Sequence, residues 1–248
     1  MYDYVIIGGG ISGLYNYYKM INKYPNYKIK LLEKEHHFGG RILQCNYKFL
    51  NHNYSFPAGA ARFNVHHKKV IALMKEFKLL DLRKDKGSIP NVEFIDSKNE
   101  FPNSFQNENG FYYIKKVIKI SSNVPDDDLI NYTFEDFCTK YLKPIEVQFI
   151  LKSCGYSGQL HNMNMKDAVH LFKYGISTDI KFWGGKYHLL INELVKYLKK
   201  HNASLSLNSN VKDVSYDNNK DSYRVHYNDS HIYSKNIVLC TPKDALLN

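Results

Sequence analysis

Gly8, Gly10 and Gly13 lie between a short apolar run and a helix-like stretch in YDYVIIGGGISGLYNYYKM, residues 2–20. In that setting G-x-G-x-x-G suits a diphosphate. The first glycine permits a tight turn, the second lets phosphate approach the backbone, and the third lets helix and strand pack closely. The helix start then offers unpaired N–H groups and partial positive charge. Glu33 follows about 20 residues after Gly13, where a carboxylate accepts hydrogen bonds from ribose hydroxyls. The alternative for Glu33 is an ordinary solvated charge beside Lys34 and Glu35. Immediately beyond it, EKEHHFGGRI (33–42) places Gly39, Gly40 and Arg41 where the chain passes back over the diphosphate. Two glycines permit close approach there, and a guanidinium engages phosphate oxygens as a fork. An NAD-binding unit has no need of this addition, so the expected ligand is FAD.

These groups require a βαβ unit to hold them. Residues 4–7 read as a buried strand, 12–23 as a helix closed by Pro25, and 27–33 as a second strand. Helical spacing returns at 65–80, 110–120, 133–142, 145–153 and 165–174, with Thr133 and Asn164 as N-caps and Pro144 at a helix start. Residues 92–101 read as a hairpin. An amphipathic helix over 187–200 leads into strands at 204–207, 211–216, 223–227 and 236–240. The order is a nucleotide-type half-fold, a helical insertion, and a return to strands. Tyr15, Tyr17 and Tyr18 read as helix packing with hydroxyls near solvent.

At 248 residues the chain can enclose a substantial core, as one large domain or two interleaved ones. Its 44% hydrophobic and 15% aromatic content is that of a soluble globular protein. No apolar run reaches the roughly 20 residues of a membrane span, and the opening lacks the form of a signal peptide. The expected location is cytoplasmic, with no membrane partner. Cys45, Cys138, Cys154 and Cys240 contain no CxxC pair, which fits reduced thiols rather than disulfides or a zinc site. The net charge of +10 is mostly scattered lysine with no basic cluster on a recognisable module, so no nucleic-acid partner is expected. Arginine occurs only at Arg41, Arg62, Arg83 and Arg224. Where lysine is the default cation, an arginine suggests that a planar, bidentate donor is required. His36-His37 and His66-His67 diverge as neighbours on one backbone, and no metal is expected.

VIIGGGISGL followed by LLEKEHHFGGRI resembles the nucleotide-binding signature of the FAD-dependent amine oxidase superfamily, which includes monoamine, polyamine and L-amino-acid oxidases. FPAGAARFN (56–64) resembles the family segment that passes beside the flavin. FWGGKYHLLINELVKYL resembles its G-G-x-x-x-L stretch, NSNVKDVSYD the strand whose valine holds the adenine, and KNIVLCTPKDAL the return toward the substrate domain. The resemblance implies an α/β fold: a Rossmann-like FAD-binding domain, discontinuous over 1–64 and 186–248, with an inserted, mostly helical substrate domain over 65–185. It implies cofactor contacts at Gly8, Gly10, Ile11, Ser12, Gly13, Glu33, Lys34, Gly39, Gly40, Arg41 and Val211, with Gly59, Ala60, Ala61 and Arg62 near the isoalloxazine ring.

By the same resemblance Arg62 either pairs with a substrate carboxylate, as in L-amino-acid oxidases, or binds flavin, or simply seals a loop. His161 and Asn162 either face the cavity or lie on the surface, and Trp183 and Tyr187 either line the channel or pack in a core. The implied chemistry is oxidation of an amine or amino acid: hydride passes from its α-carbon to the flavin, and oxygen takes the electrons. Family members continue well beyond the segment like CTPKDALLN, and no catalytic residue is assignable here. The chain is therefore expected to be C-terminally incomplete. Its partners are expected to be a small amine or amino acid and a completing second chain or second copy. The other class of reading is a non-catalytic flavin-binding or protein-interaction module.

Overall fold

Val5, Ile6 and Ile7 are all buried, as in a strand enclosed on both faces of a parallel sheet, and they end β1 (Tyr2–Ile7). The computed structural model describes residues 1–81, 100–105, 110–154, 157–175, 181–184 and 187–246. After β1 come α1 (Ile11–Lys23), β2 (Ile29–Leu32), β3 (Gln44–Phe49), β4 (His52–Pro57), β5 (Arg62–Asn64) and α2 (Lys68–Glu76). Six helices follow: α3 (Gly110–Ser121), α4 (Asp126–Leu129), α5 (Phe134–Tyr141), α6 (Pro144–Ser153), α7 (Ser157–Asn162) and α8 (Met165–His170). The chain then forms β6 (Phe182–Gly184), α9 (Tyr187–Lys200), β7 (Ser204–Ser206), β8 (Val211–Asp217), β9 (Ser222–Tyr227) and β10 (Ser230–Leu239). Residues 92–99 of the expected hairpin lie outside the described residues.

The described residues form two units, one within Met1–Arg62, Lys69–Asp85 and Gly184–Asn248, the other within Phe63–Lys68 and Lys86–Trp183. The first is built on a six-stranded sheet in the order β7-β2-β1-β10-β9-β8. The β7, β2, β1 and β10 strands run parallel, and β10, β9 and β8 form an antiparallel meander. The last strand extends well beyond the expected 236–240, because its first half pairs with β9 around the Asn228-Asp229 turn.

Tyr17 of α1 departs from the expectation of a hydroxyl near solvent, and Tyr18 finds a partner. The Tyr17 hydroxyl donates to the Ile29 carbonyl at 2.7 Å and accepts from the Ser204 N–H at 2.8 Å. Burial raises its pKa to about 12. Tyr18 donates to the Glu76 carboxylate and packs edge-on to Tyr197 of α9. Sequence spacing identifies a buried helix face but not the polar atoms waiting on neighbouring elements, and here the Ile29 carbonyl turns the Tyr17 hydroxyl inward. The Tyr18–Glu76 bond also places α2 with the sheet rather than with the helices that follow it.

The second unit is helical, around Phe111, Ile114, Phe134, Phe137, Ile150, Leu160 and Met165. Thr133 caps α5 by accepting the Asp136 N–H, and Asn164 caps α8 by accepting the Lys166 N–H. The expected single helix over 165–174 instead ends at His170 and continues as one wider turn. Cys138 and Cys154 sit in this core, where burial raises their thiols to about 12 and about 11. Iodoacetamide at pH 8 is therefore expected to alkylate the half-buried Cys45 in the folded protein and to spare Cys138 and Cys154 until denaturant is added. Peptide mass mapping reads the order of labelling.

Candidate dinucleotide site

Gly8 and Gly13 of the first loop are required by the protein itself. Gly8 has φ +106°, and a Cβ there would lie 2.7 Å from the Cys240 carbonyl oxygen. A Cβ on Gly13 would lie 1.9 Å from the Gly8 carbonyl oxygen, so α1 touches the turn with no room for a methyl group. Gly10 is different. Its backbone (φ −70°, ψ −177°) is open to any residue, and an added Cβ would approach nothing nearer than Gly40 Cα at 3.9 Å. The fold leaves that space, and a ligand reaching the backbone would fill it. From Gly10, α1 starts without a side-chain cap and without an acidic residue in its first turn. Ile11 is half-buried and Ser12 exposed at this mouth. Helix starts of this kind favour anions.

Glu33 is 6% exposed, which excludes a solvated surface charge. One carboxylate oxygen accepts the Gly9 N–H at 2.5 Å and the other the Glu35 N–H at 2.9 Å. Gly9, absent from the sequence reading, is a glycine for this reason: its Cβ would lie 2.9 Å from Glu33 Cβ and 2.7 Å from Phe38 Cδ1. The middle position of the glycine triplet was the available signal. Glu33→Ala removes the acceptor of two backbone N–H groups and is expected to cost about 2–4 kcal/mol, read as a lower urea midpoint with unchanged slope.

The second glycine loop closes onto the first. The Gly39 N–H donates to the Gly9 carbonyl at 2.9 Å, and Gly10 and Gly39 form a parallel bridge. Gly40 has φ +55°, and its Cβ would lie 3.3 Å from Gly10 Cα. Arg41 is exposed, and among the described residues its guanidinium has no hydrogen-bond or ion-pair partner. Its carbonyl accepts the Ala60 N–H at 3.0 Å, and a Cβ on Gly59 would lie 2.0 Å from that same oxygen. The 58–60 segment thus lies against 41–43. Ala61 is half-buried, and the Arg62 carbonyl accepts the Tyr187 hydroxyl at 3.4 Å. Lys34 points to solvent, 3.7 Å from Glu35.

Val211 reaches the same sheet end by backbone pairing. The Glu33 N–H donates to the Ser206 carbonyl, the Ser209 N–H to the Glu33 carbonyl and the Asn208 N–H to the Glu35 carbonyl, at 2.9, 2.8 and 3.0 Å. This lays the β7–β8 connection along residues 33–35, and Val211 opens β8 beyond it, packed with Val5, Ile7, Leu32 and Val225. The glycine loop, Glu33, Gly39 to Arg41 and the approach to Val211 therefore converge at the carboxyl ends of β1 and β2, where open α/β sheets bind ligands. Elsewhere, His161 pairs with Glu135 at 2.5 Å, and Trp183 stacks on Phe63 with ring centroids 5.8 Å apart.

Residues 6–77 match the NAD(P)-binding Rossmann-like domain family. A crystal structure of a CLA-producing fatty acid isomerase from P. acnes superposes with TM-score 0.70 and 17% identity, covering 99% of this chain and 60% of that one. Wild-type putrescine oxidase bound to putrescine superposes with TM-score 0.67 and 14% identity, over 97% of this chain and 58% of that one. The chain shares the fold of these two proteins. This chain spans about three fifths of the length of those two chains. An uncharacterized protein of Acanthamoeba polyphaga mimivirus is 24% identical over 135 residues, 52% of this chain and 26% of that protein. Among the described residues, no helix is long and apolar enough to cross a membrane.

Proposed function

We propose that the protein is an FAD-binding oxidoreductase of the amine oxidase type, with an amine or amino acid as substrate and oxygen as acceptor. The observation that carries this reading is the bare backbone at Gly10, overlaid by a second glycine loop that presents Arg41. In this reading Gly10 and the start of α1, with Ile11 and Ser12, hold the diphosphate, and the Arg41 guanidinium binds its oxygens. Glu33 keeps lone pairs for a ribose hydroxyl while clamping the glycine loop, with Lys34 at its rim. The backbone of Val211 meets the adenine. Gly59, Ala60, Ala61 and Arg62 run toward the ring, and Arg62 anchors a substrate carboxylate. When bound, FAD supplies the hydride acceptor. The balance is R–CH2–NH2 + O2 → R–CH=NH + H2O2.

The test is a visible spectrum of the purified chain, followed by a peroxide assay over a panel of amines and amino acids. Flavin absorbance with peroxide from one class of substrate is the expected result. Peroxide from the chain alone would remove the expectation of a completing second chain. A preparation that stays colourless with added FAD would overturn the cofactor assignment.

The fold match to a fatty acid isomerase supports a second reading, flavin chemistry without net oxidation. Flavin absorbance, no peroxide and a shifted double bond in an added polyunsaturated fatty acid would select it. Flavin with neither activity would select the non-catalytic module.

A further inference from the structure

Arg224 is the described arginine that the dinucleotide reading does not use. It lies in the middle of β9, opposite Tyr233 of β10 and Ser215 of β8. Its Nε is buried and has no hydrogen-bond partner among the described residues, a cost that favours bonding at the rest of the half-buried guanidinium. Two residues along, His226 stands opposite His231, and the rings stack with centroids 5.6 Å apart. Lys220, from the β8–β9 turn, holds its ammonium 3.6 Å from the centroid of the Tyr233 ring, and that ring meets His231 edge-on. The β8–β9–β10 register thus gathers Lys220, Arg224, His226 and His231 from two strands and a turn.

None of these four groups has a carboxylate within ion-pairing distance among the described residues, although Lys212 of the same meander pairs with Asp229 and Lys235 with Asp3 of β1. Asp213 of β8 stands opposite His226 in register without pairing with it. Asp221, beside Lys220, accepts the Tyr216 hydroxyl instead. The cluster repels itself: desolvation, then Arg224, His226 and Lys220, lower the proton affinity of His231.

We propose that Lys220, Arg224, His226 and His231 form an oxyanion site on the meander that takes a phosphate group, free or carried by a larger molecule. The guanidinium supplies a fork for two oxygens, the lysine a point charge, and the imidazoles N–H donors. Because a bound oxyanion favours the imidazolium form of His231, which the free cluster holds below the usual histidine range, affinity for a dianion rises as pH falls toward 6. Sulfate, doubly charged throughout that range, follows the same trend and assigns it to the protein.

The test follows the imidazole resonances of His226 and His231 by NMR while inorganic phosphate, pyrophosphate or sulfate is added at constant ionic strength. The expected result is a saturable shift of both residues, stronger at pH 6 than at pH 8, weakened about ten-fold or more in Arg224→Gln and several-fold in Lys220→Gln. Lys220 lies in an exposed turn, so its variant keeps the fold if Arg224→Gln does not. Tighter binding of pyrophosphate or ADP than of phosphate would place the group on a larger molecule. Gly10→Val, which fills the dinucleotide cradle, is expected to leave these two resonances responsive. A shift matched by chloride, or unchanged in both Lys220→Gln and Arg224→Gln, would overturn the site.

Discussion

Gly10→Val is expected to fold with a melting temperature within about 2 °C of the parent and to bind FAD about a hundredfold more weakly. The asymmetry comes from the location of the new atoms. A Cβ at Gly10 meets no protein atom closer than 3.9 Å, and the backbone there is in an ordinary extended conformation. The added Cβ therefore enters the space proposed for the diphosphate without crowding the protein. Crowding a tight contact costs roughly 1–3 kcal/mol, and about 2.7 kcal/mol corresponds to a hundredfold. Thermal melts and a fluorescence titration with FAD read the two effects separately. Undiminished FAD binding would mean the diphosphate lies elsewhere.

Gly13→Ala is expected to do the reverse and attack the fold itself. Its methyl group would lie 1.9 Å from the Gly8 carbonyl oxygen and 3.4 Å from Ile6. Backbone cannot yield as a flexible side chain can, so α1 must lift from the end of β1. A cost of about 3 kcal/mol or more follows from overpacking of this severity. For a chain of this size that lowers the melting temperature by roughly 6–12 °C. A near-parental melting temperature for Gly13→Ala would contradict the close packing of α1 on the turn. The pair of variants separates two reasons for a glycine that look identical on paper.

Much of the nucleotide half was legible in advance because its signals are local. A strand of consecutive buried aliphatics, a glycine turn and an amphipathic helix depend on neighbours within a few residues, and β1, α1 and β2 appear where those patterns lie. The caps at Thr133 and Asn164 were legible for the same reason, since a capping side chain reaches only two or three residues along the chain. The β10 strand was read too short because its first half is set by pairing with β9, which its own residues do not encode. Tyr17 and Tyr18 carry no mark of the Ile29 carbonyl or the Glu76 carboxylate that accept their hydrogen bonds.

The candidate site divides along the same line. Residue types alone determined that a bare backbone, a carboxylate and a guanidinium recur at spacings suited to a dinucleotide. Only the tertiary structure decided which glycine serves which purpose. Gly8, Gly9 and Gly13 relieve contacts with Cys240, Glu33 and the turn itself, whereas Gly10 relieves none. It also decided that Glu33 is buried and anchors the loop, and that Lys220, Arg224, His226 and His231 share one place. The physical reason is that helix and turn preferences act over a few bonds. Strand register and the closure of one loop on another join residues far apart in the chain, and their energy belongs to the contact rather than to either residue.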